Sequence, residues 1–291
     1  MSEGYVRSID FQDPCAMHQL AESFRHNGFA VLKNHPMRAS LLKDVLLEWQ
    51  TFFQKPERDK KEYLYNQENF IGYYPMGIEN AKGVYEKNLM EYYHHEPHFA
   101  LPPTLTLKTN DLFKGLLDLA QILLKGLNDA LPASSQHTLP GPLHAIMGAH
   151  VPTTVMRILH YPPVNNDSFV RNTDHEDINL MTLLCSATAQ GLQVKDKKGV
   201  WHSVAYDTED IVINAGDMLQ LLTDGYYTST THRVIAPSDP EKVSLPRYSI
   251  PLFIGAKPEI LLRPGFTAYD YLIERLHENG VASKKSTQAV A

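Results

Sequence analysis

Two histidines and one aspartate have the types and spacing of a metal site that is divided between two segments of the chain. His175 and Asp177 lie two residues apart, and His232 follows much later. A strand sends residues i and i+2 to the same face, so His175 and Asp177 can point together into an interior where a second strand supplies His232. Two imidazoles and one carboxylate leave three positions of an octahedron open. This arrangement suits non-haem Fe(II) that activates O2.

The pattern His-x-Asp is weak alone, because the chain contains 14 histidines. Its meaning depends on the elements that position it. Apolar spacing in the first half of the chain predicts mainly helices, with two short strands and a Tyr/Gly-rich loop. In order, these are a strand within 5–12, a helix from Asp13 to about Asn27, a strand at 29–32, a helix over Ala39–Phe53, helical turns within 57–65, a loop at Gly72–Gly77 and a helix over 110–131.

After about residue 150, short β-type runs replace the helices. The eight runs are 153–161, 179–185, 192–195, 200–204, 211–214, Met218–Thr223, 232–235 and 248–254. Together they predict an antiparallel jelly roll (a double-stranded β-helix), the cupin-like barrel that encloses a ligand. Thr267 is the expected N-cap of a last helix, Ala268–Glu278, which Gly280 would stop before a disordered tail.

We expect one compact domain that is mainly β. Its parts are an N-terminal helical region (1–150) packed on the barrel, the jelly-roll core (151–257), and a C-terminal helix and tail (258–291). The 27 basic and 33 acidic residues give a net charge of -6, which argues against nucleic-acid or membrane partners. The start of the chain does not resemble a signal peptide, and no apolar run would span a bilayer, so we expect a cytosolic protein. Cys15 and Cys185 suggest neither a disulfide framework nor a zinc site.

A second pair of residues suggests a carboxylate receptor inside the barrel. Arg247 and Ser249 share one face of a predicted strand, and the core-like run Ile250–Ile254 follows them directly. A guanidinium buried there would be strongly unfavourable without an anion, so an Arg fork beside a hydroxyl favours carboxylate binding. A surface salt bridge is the alternative for Arg247.

Several segments together resemble the isopenicillin N synthase-like Fe(II)/2-oxoglutarate-dependent dioxygenases. Those in the barrel are His175-Glu-Asp, Leu180-Met-Thr-Leu-Leu, Gly191-Leu-Gln-Val, Trp201, Asn214-Ala-Gly-Asp, Leu219-Gln-Leu-Leu-Thr-Asp-Gly-Tyr, His232-Arg-Val and Arg247-Tyr-Ser. Outside it are Gly28-Phe-Ala-Val-Leu-Lys-Asn-His, Phe52-Phe-Gln-Lys-Pro, Lys60-Lys and Lys87-Asn-Leu-Met-Glu-Tyr. The resemblance covers most of the chain and implies that His175, Asp177 and His232 bind Fe(II).

The same resemblance implies how 2-oxoglutarate is held. Arg247 and Ser249 would bind its distal carboxylate, and Tyr161 matches a position where the family often places a tyrosine on this cosubstrate. Packing as a core aromatic is an equal alternative for Tyr161. The family often has Asn two residues before this Tyr, where the chain has Leu159.

The implied activity is O2-dependent hydroxylation, desaturation or cyclisation of a small molecule, with release of succinate and CO2. Related halogenases replace the iron carboxylate by a small residue, so Asp177 favours these three outcomes. One alternative is an iron oxidase of the same family that uses no 2-oxoglutarate. Another is a cupin-like protein that binds a small molecule without turnover. Oligomeric state and substrate identity are not indicated.

The sequence leaves the roles of six further residues open: Tyr73, Tyr74, His94, His95, His98 and Arg157. The two tyrosines could cover the barrel mouth or pack their loop. A second metal cluster in Tyr92–His98 is the less favoured interpretation, because Pro97 interrupts any helix and no carboxylate has a dedicated spacing. A pocket wall or a hydrogen-bonded structural segment is favoured instead. Arg157 could meet an acidic substrate, although exposure or a local ion pair is commoner for an Arg in a strand.

Overall fold

The computed structural model describes residues 4–78, 89–103, 105–163, 170–185, 187–236 and 245–278. Its helices are α1 (Ala16–His26), α2 (Ala39–Phe53), α3 (Glu57–Lys60), α4 (Lys108–Asp129), α5 (Ala133–Thr138), α6 (Leu143–Ile146), α7 (Asp217–Leu222) and α8 (Ala268–Glu278), with a 3-10 turn at Lys61–Tyr63. Its strands are β1 (Arg7–Asp10), β2 (Phe29–Lys33), β3 (Gly72–Tyr74), β4 (Glu91–His95), β5 (Thr154–Tyr161), β6 (Val170–His175), β7 (Met181–Cys185), β8 (Leu192–Lys195), β9 (Trp201–Ser203), β10 (Ile211–Ala215), β11 (His232–Ile235), β12 (Arg247–Ile254), β13 (Leu261–Arg263) and β14 (Phe266–Thr267).

Two sheets form the core. The major sheet has eight strands in the order β1-β2-β10-β7-β12-β5-β4-β3, and the minor sheet has four in the order β6-β11-β8-β9. Only β1 and β2 pair in parallel among the described neighbours in these two sheets. Along β2, Phe29 and Val31 pack with apolar residues of the minor sheet, whereas Ala30 and Leu32 pack with the helices. The two sheets therefore enclose an interior between them.

The long helix α4 packs on the side of the major sheet that faces away from the minor sheet. It contacts α1, α2 and α6, and also β7 and β12. Its buried stripe includes Leu112, Leu116, Leu119, Leu123 and Leu127. Ile122 is 49% exposed, because helical geometry turns it away from these five leucines.

Two short segments differ from the sequence-based prediction. The predicted loop Gly72–Gly77 begins with strand β3, and Gly72 allows this strand to run close to Tyr65. A Cβ on Gly72 would lie only 2.7 Å from the Cα of Tyr65. The predicted strand Met218–Thr223 is helix α7, whose buried residues follow a helical spacing. A short apolar run does not distinguish the two structures by itself.

The N-terminal and C-terminal regions extend the barrel. Region 1–150 is not only helical, because it also supplies β1 to β4 of the major sheet. The division into three parts stays a prediction. Thr267 caps α8 as predicted: its Oγ1 accepts the N–H of Asp270 at 3.1 Å, and the Asp270 carboxylate accepts the N–H of Thr267 at 2.9 Å. Lys87, Gly280 and the tail lie outside the described residues. Within the described chain no helix is long and apolar enough to span a membrane.

Candidate metal and anion site

Strands β6 and β11 place two histidines side by side. His175 ends β6, His232 begins β11, and these register partners have ring centroids 4.3 Å apart. Asp177 lies beyond the end of β6 rather than in the strand, yet its side chain reaches both rings. Its Oδ1 is 3.9 Å from Nε2 of His175 and 3.8 Å from Nε2 of His232. The three predicted iron ligands, which we call the triad, are therefore brought together.

The backbone holds the second nitrogen of each imidazole. Nδ1 of His175 donates to the carbonyl of Thr173 at 2.7 Å, and Nδ1 of His232 donates to that of Thr230 at 3.0 Å. These bonds fix the tautomer whose Nε2 lone pair is directed at the carboxylate. Burial, and then the neighbouring His232, lower the pKa of His175 to about 4. The His175 ring is therefore neutral near pH 7 and able to ligate a cation.

The protein also holds the far oxygen of the Asp177 carboxylate. Oδ2 accepts hydrogen bonds from Thr182 Oγ1 at 2.6 Å and from Asn214 Nδ2 at 2.8 Å, so Oδ1 is left to face the imidazoles. Burial alone would raise the pKa of Asp177, but the two imidazoles and these hydrogen bonds lower it below its usual value. The triad is thus an ionised carboxylate and two lone-pair donors that converge on one point, which fits a divalent metal ion.

The segment 214–217 supports Asp177 through its backbone. It ends β10 and begins α7, and the N–H of Asp217 donates to the Asp177 carbonyl at 2.7 Å. A Cβ on Gly216 would lie 2.3 Å from the carbonyl oxygen of Asn179, so glycine permits the close approach of the two chain segments. The Asp217 carboxylate accepts a hydrogen bond from a tyrosine of α8, which gives it a structural role.

Arg247, Ser249 and Tyr161 meet where β12 pairs with β5, and we call them the anion group. Arg247 is the register partner of Tyr161, and its guanidinium carbon is 5.3 Å from the centre of that ring. The buried guanidinium donates to Ser249 Oγ and to the Ala189 carbonyl, both at 3.1 Å. Its Nη2 has no hydrogen-bond partner in the described part of the chain. This incompletely bonded buried cation fits a carboxylate, as the sequence predicts.

A cavity of about 510 Å³ lies beside the triad. Its walls are mostly apolar and come from both sheets and from α8, which contributes Leu272 and Arg275. Arg157 faces this cavity, and its Nε lies 2.7 Å from Nε2 of His94. The sequence does not indicate that the last helix forms a wall. The anion group does not line this cavity, as far as the described residues show.

The histidines of Tyr92–His98 do not form a metal cluster with one another. His94 donates from Nδ1 to the carbonyl of Phe70 at 3.0 Å, and its other nitrogen accepts from the arginine in the cavity wall. His95 points to the opposite face of β4 and bonds Asn110 Oδ1 at 2.8 Å. Burial is the main cause that lowers the pKa of both imidazoles. This segment is a cavity wall and a hydrogen-bonded structural element, in line with the favoured prediction.

His98 instead joins two residues to form what we call the surface cluster: Glu96, His98 and His150. Both Nδ1 atoms lie 2.8 Å from Glu96 Oε1. The Glu96 carboxylate is fully buried, whereas the imidazole side chains are 67% and 56% exposed. The sequence-based interpretation that no carboxylate has a dedicated spacing overlooks Glu96, which contacts His98 directly.

Tyr73 and Tyr74 pack inside the protein rather than over the cavity. The hydroxyl of Tyr73 donates to the buried carboxylate of Glu91. Tyr74 stacks between Tyr65 and Tyr92, with ring centroids 4.1 and 4.4 Å away. Of the two roles left open by the sequence, the packing role is the one observed.

Arg171 is the main functional candidate that sequence reasoning misses. It lies in β6, is 2% exposed, and approaches Arg247 from the opposite sheet. The available signal is an arginine four residues before His175. The stretch Val170–His175 is too polar for a strand to be recognised there, so nothing in the sequence directs this arginine inward.

Family models match two parts of the chain. The 2OG-Fe(II) oxygenase superfamily matches residues 152–256, and the N-terminal region of non-haem dioxygenases in morphine synthesis matches residues 6–111. Gibberellin 2-beta-dioxygenase 1 of Arabidopsis thaliana is 27% identical over 260 residues, which cover 81% of this chain and 75% of the relative. Jasmonate-induced oxygenase 2 of the same plant is 26% identical over 275 residues, covering 90% and 70%.

Solved structures agree with these matches. An oxygenase structure from Shewanella oneidensis is 38% identical, covers 95% of this chain and 99% of that one, and has a TM-score of 0.83. A full-length protein of Neurospora crassa, solved in complex with alpha-KG and thymine, is 24% identical, covers 94% and 96%, and has a TM-score of 0.77, which supports the fold. The resemblance and the predicted jelly-roll fold are both confirmed.

Proposed function

The chain belongs to the 2-oxoglutarate/Fe(II) oxygenase superfamily, and we propose that the triad of His175, Asp177 and His232 holds its Fe(II). The protein is an oxidoreductase, a non-haem dioxygenase that acts on a small molecule with Fe(II), 2-oxoglutarate and O2. One observation carries the ligand assignment. Two Nε2 atoms face Asp177 Oδ1 at 3.8 and 3.9 Å, while the far side of each ligand is bonded to the protein. This is the set of two histidines and one carboxylate that suits Fe(II) oxygenases.

When bound, the iron centre couples the reduction of O2 to the oxidation of 2-oxoglutarate to succinate and CO2, and supplies the oxidising power for the substrate. The chain supplies binding and orientation. Arg247 and Ser249 would hold the distal carboxylate of 2-oxoglutarate, and Tyr161 would pack beside it. Thr182 and Asn214 fix the Asp177 carboxylate so that one oxygen stays directed at the metal.

The substrate we propose is a small, largely apolar molecule with one polar group directed at Arg157. The cavity of about 510 Å³ and its apolar walls support this. The Arg157 guanidinium is held over the rings of Tyr92 and Phe253, at 4.3 and 5.3 Å, which fixes its direction. Hydroxylation, desaturation and cyclisation all fit such a site.

The ligand assignment can be tested without knowing the substrate. Anaerobic addition of Fe(II) and 2-oxoglutarate should produce the iron–keto-acid charge-transfer absorption in the wild type. His175→Ala and Asp177→Ala should lose both this absorption and succinate formation. His202→Ala is a matched control, because that imidazole bonds Asp196 at 2.9 Å, away from the triad. Absorption retained by both triad variants would overturn the assignment.

The same measurement distinguishes the alternative functions. If the wild type binds Fe(II) but gives no charge-transfer band with 2-oxoglutarate, a 2-oxoglutarate-independent oxidase or a binding protein is favoured. O2 consumption with candidate substrates then distinguishes those two, since only the oxidase consumes O2.

We also propose a cytosolic location, supported by Cys15 and Cys185, which are not joined in a disulfide. Cell fractionation with an antibody against the protein tests this proposal. Recovery outside the soluble cytosolic fraction would contradict it.

A further inference from the structure

Arg171 is a buried arginine with two unused donor groups. Its Nη2 donates to the carbonyl of Leu245 at 3.0 Å, but Nε and Nη1 have no hydrogen-bond partner in the described part of the chain. The side chain is among the largest that are fully buried. A buried guanidinium with unsatisfied N–H groups is costly, so this arrangement calls for an acceptor.

A second guanidinium with the same deficit lies nearby. Arg247 leaves Nη2 unpaired, and the carbonyl that Arg171 does bond belongs to Leu245, two residues before it. Burial, and then repulsion from Arg247, lower the pKa of Arg171. Among the described residues, no carboxylate forms a salt bridge with either arginine. Three nitrogens of the two guanidinium groups, Nε and Nη1 of Arg171 and Nη2 of Arg247, therefore lack an acceptor there.

The local strand geometry explains how Arg171 enters this region. The pairing of β6 with β11 runs through Val170, Asn172 and His175, and its register shifts twice along this length. Arg171 lies within the irregular stretch between Val170 and Asn172. Such bulges re-aim a side chain and are frequent beside active sites. The strand that ends at an iron ligand therefore carries Arg171 towards the anion group of the major sheet.

We propose that Arg171 and Arg247 together bind the distal carboxylate of 2-oxoglutarate through their guanidinium groups. This inference rests on the proposed function, because it presupposes that the anion group holds the cosubstrate. A carboxylate has enough lone pairs to accept from both guanidinium groups, and it would neutralise their repulsion. Arg171 is a cosubstrate-binding residue in this proposal, since it would contact 2-oxoglutarate and not iron.

The test measures 2-oxoglutarate affinity of the anaerobic, Fe(II)-loaded protein by the charge-transfer absorption. Arg171→Met keeps the length of the side chain but removes the charge, and it should weaken 2-oxoglutarate binding about 10- to 100-fold. Arg171→Lys should recover part of the loss. Arg233→Met is the matched control, because Arg233 lies in the minor sheet but packs on Trp201 at 4.0 Å, and it should bind as the wild type does.

A second measurement separates cosubstrate binding from a purely structural role. Because Arg171 is a buried charge with no carboxylate partner among the described residues, its replacement by Met should leave the thermal stability of the ligand-free protein unchanged or higher. The stabilisation that 2-oxoglutarate adds should shrink. A lower Tm of the ligand-free variant combined with normal 2-oxoglutarate affinity would instead mark Arg171 as structural and overturn the proposal.

Different results would refute the role of Arg171 and the proposed function. If the wild type binds 2-oxoglutarate and folded Arg171→Met binds it equally well, only the role of Arg171 is wrong. If Arg171→Met does not fold, Arg171→Lys decides, and unchanged affinity in that variant would also refute the role. If the wild type itself does not bind 2-oxoglutarate, the proposed function and the role of Arg171 fall together.

Discussion

Two groups in this molecule contain the same side-chain types, two imidazoles and one carboxylate, but they are prepared for different tasks. In the triad, backbone carbonyls accept from Nδ1 of each histidine, and both Nε2 atoms stand 3.8 to 3.9 Å from Asp177 Oδ1. In the surface cluster, both Nδ1 atoms lie 2.8 Å from Glu96 Oε1. The longer separation exceeds a hydrogen bond and leaves room for an ion, while the shorter one is itself a hydrogen bond.

Ligand type alone therefore does not define a metal site. What separates the two groups is where the second nitrogen of each imidazole is directed and whether the carboxylate is already satisfied. Asp177 has its far oxygen bonded by Thr182 and Asn214, whereas Glu96 uses the imidazoles themselves as partners. We therefore propose metal binding for the triad and stabilisation of a buried carboxylate for the surface cluster.

The largest expected difference is in iron content. We expect one Fe(II) per wild-type chain, none in His232→Ala, and one in His150→Ala, measured by elemental analysis of protein loaded without O2. Succinate formation should fall at least about 1,000-fold in His232→Ala, because the metal supplies the chemistry, and stay near wild type in His150→Ala. Two irons per wild-type chain, or equal losses in both variants, would remove the distinction between the groups.

The sequence predicts which residues form the triad, but it does not predict which residues form the surface cluster. The strand His232–Ile235 and the helix Ala39–Phe53 appear at their predicted bounds, and the helix does so because its apolar periodicity is strong. His175 and Asp177 are close in sequence, so local geometry suffices to bring them together. Glu96 and His150 are separated by more than 50 residues, and only the pairing of β4 with β5 makes them neighbours.

Arg171 and the helix α8 show a second limit. Arg171 turns inward within an irregular part of β6, and alternation counted along a regular strand does not locate such a residue. The position of α8 over the cavity depends on long-range packing, which the amphipathic pattern of the helix itself does not specify.

Acid should destabilise the region that joins the surface cluster to the cavity wall. Burial lowers the pKa of His95, the neighbour of Glu96, to about 4 from 6.5. The unfolded chain therefore binds this proton at a higher pH than the folded one. The free energy of unfolding is therefore unaffected by His95 above pH 6.5. It decreases by up to about 3 kcal/mol as the pH falls towards 4, because the unfolded chain takes up the proton first. Urea unfolding of iron-free protein at pH 7, 6 and 5 measures this loss.

His95→Gln provides the control for the acid effect. It removes the titrating group while keeping a side chain that can bond Asn110, so the fall in stability between pH 6.5 and 4 should become shallower than in the wild type. An identical pH dependence in the variant would mean that His95 does not contribute.

A smaller effect should follow from loosening the support of the triad carboxylate. Asn214→Ala removes one of the two hydrogen bonds to Asp177 Oδ2 and should weaken Fe(II) binding about 10- to 100-fold. Glu96→Gln is the contrasting variant in the surface cluster. It should cost about 1–3 kcal/mol of folding stability, because it disturbs a buried hydrogen-bonded carboxylate, and leave Fe(II) affinity unchanged. Weaker iron binding in Glu96→Gln would show that the two groups are coupled.

The smallest effect is expected at the exposed edge of the surface cluster. The His98 side chain is 67% exposed, and its removal leaves Glu96 bonded to His150 and to the backbone N–H of residue 98. His98→Ala should therefore cost less than about 1 kcal/mol in urea unfolding at pH 7. The double variant His98→Ala/His150→Ala should cost more than the sum of the single changes, because only then does the buried carboxylate lose both imidazole partners. Simple additivity would mean that each histidine acts alone, and the surface cluster would not be a unit.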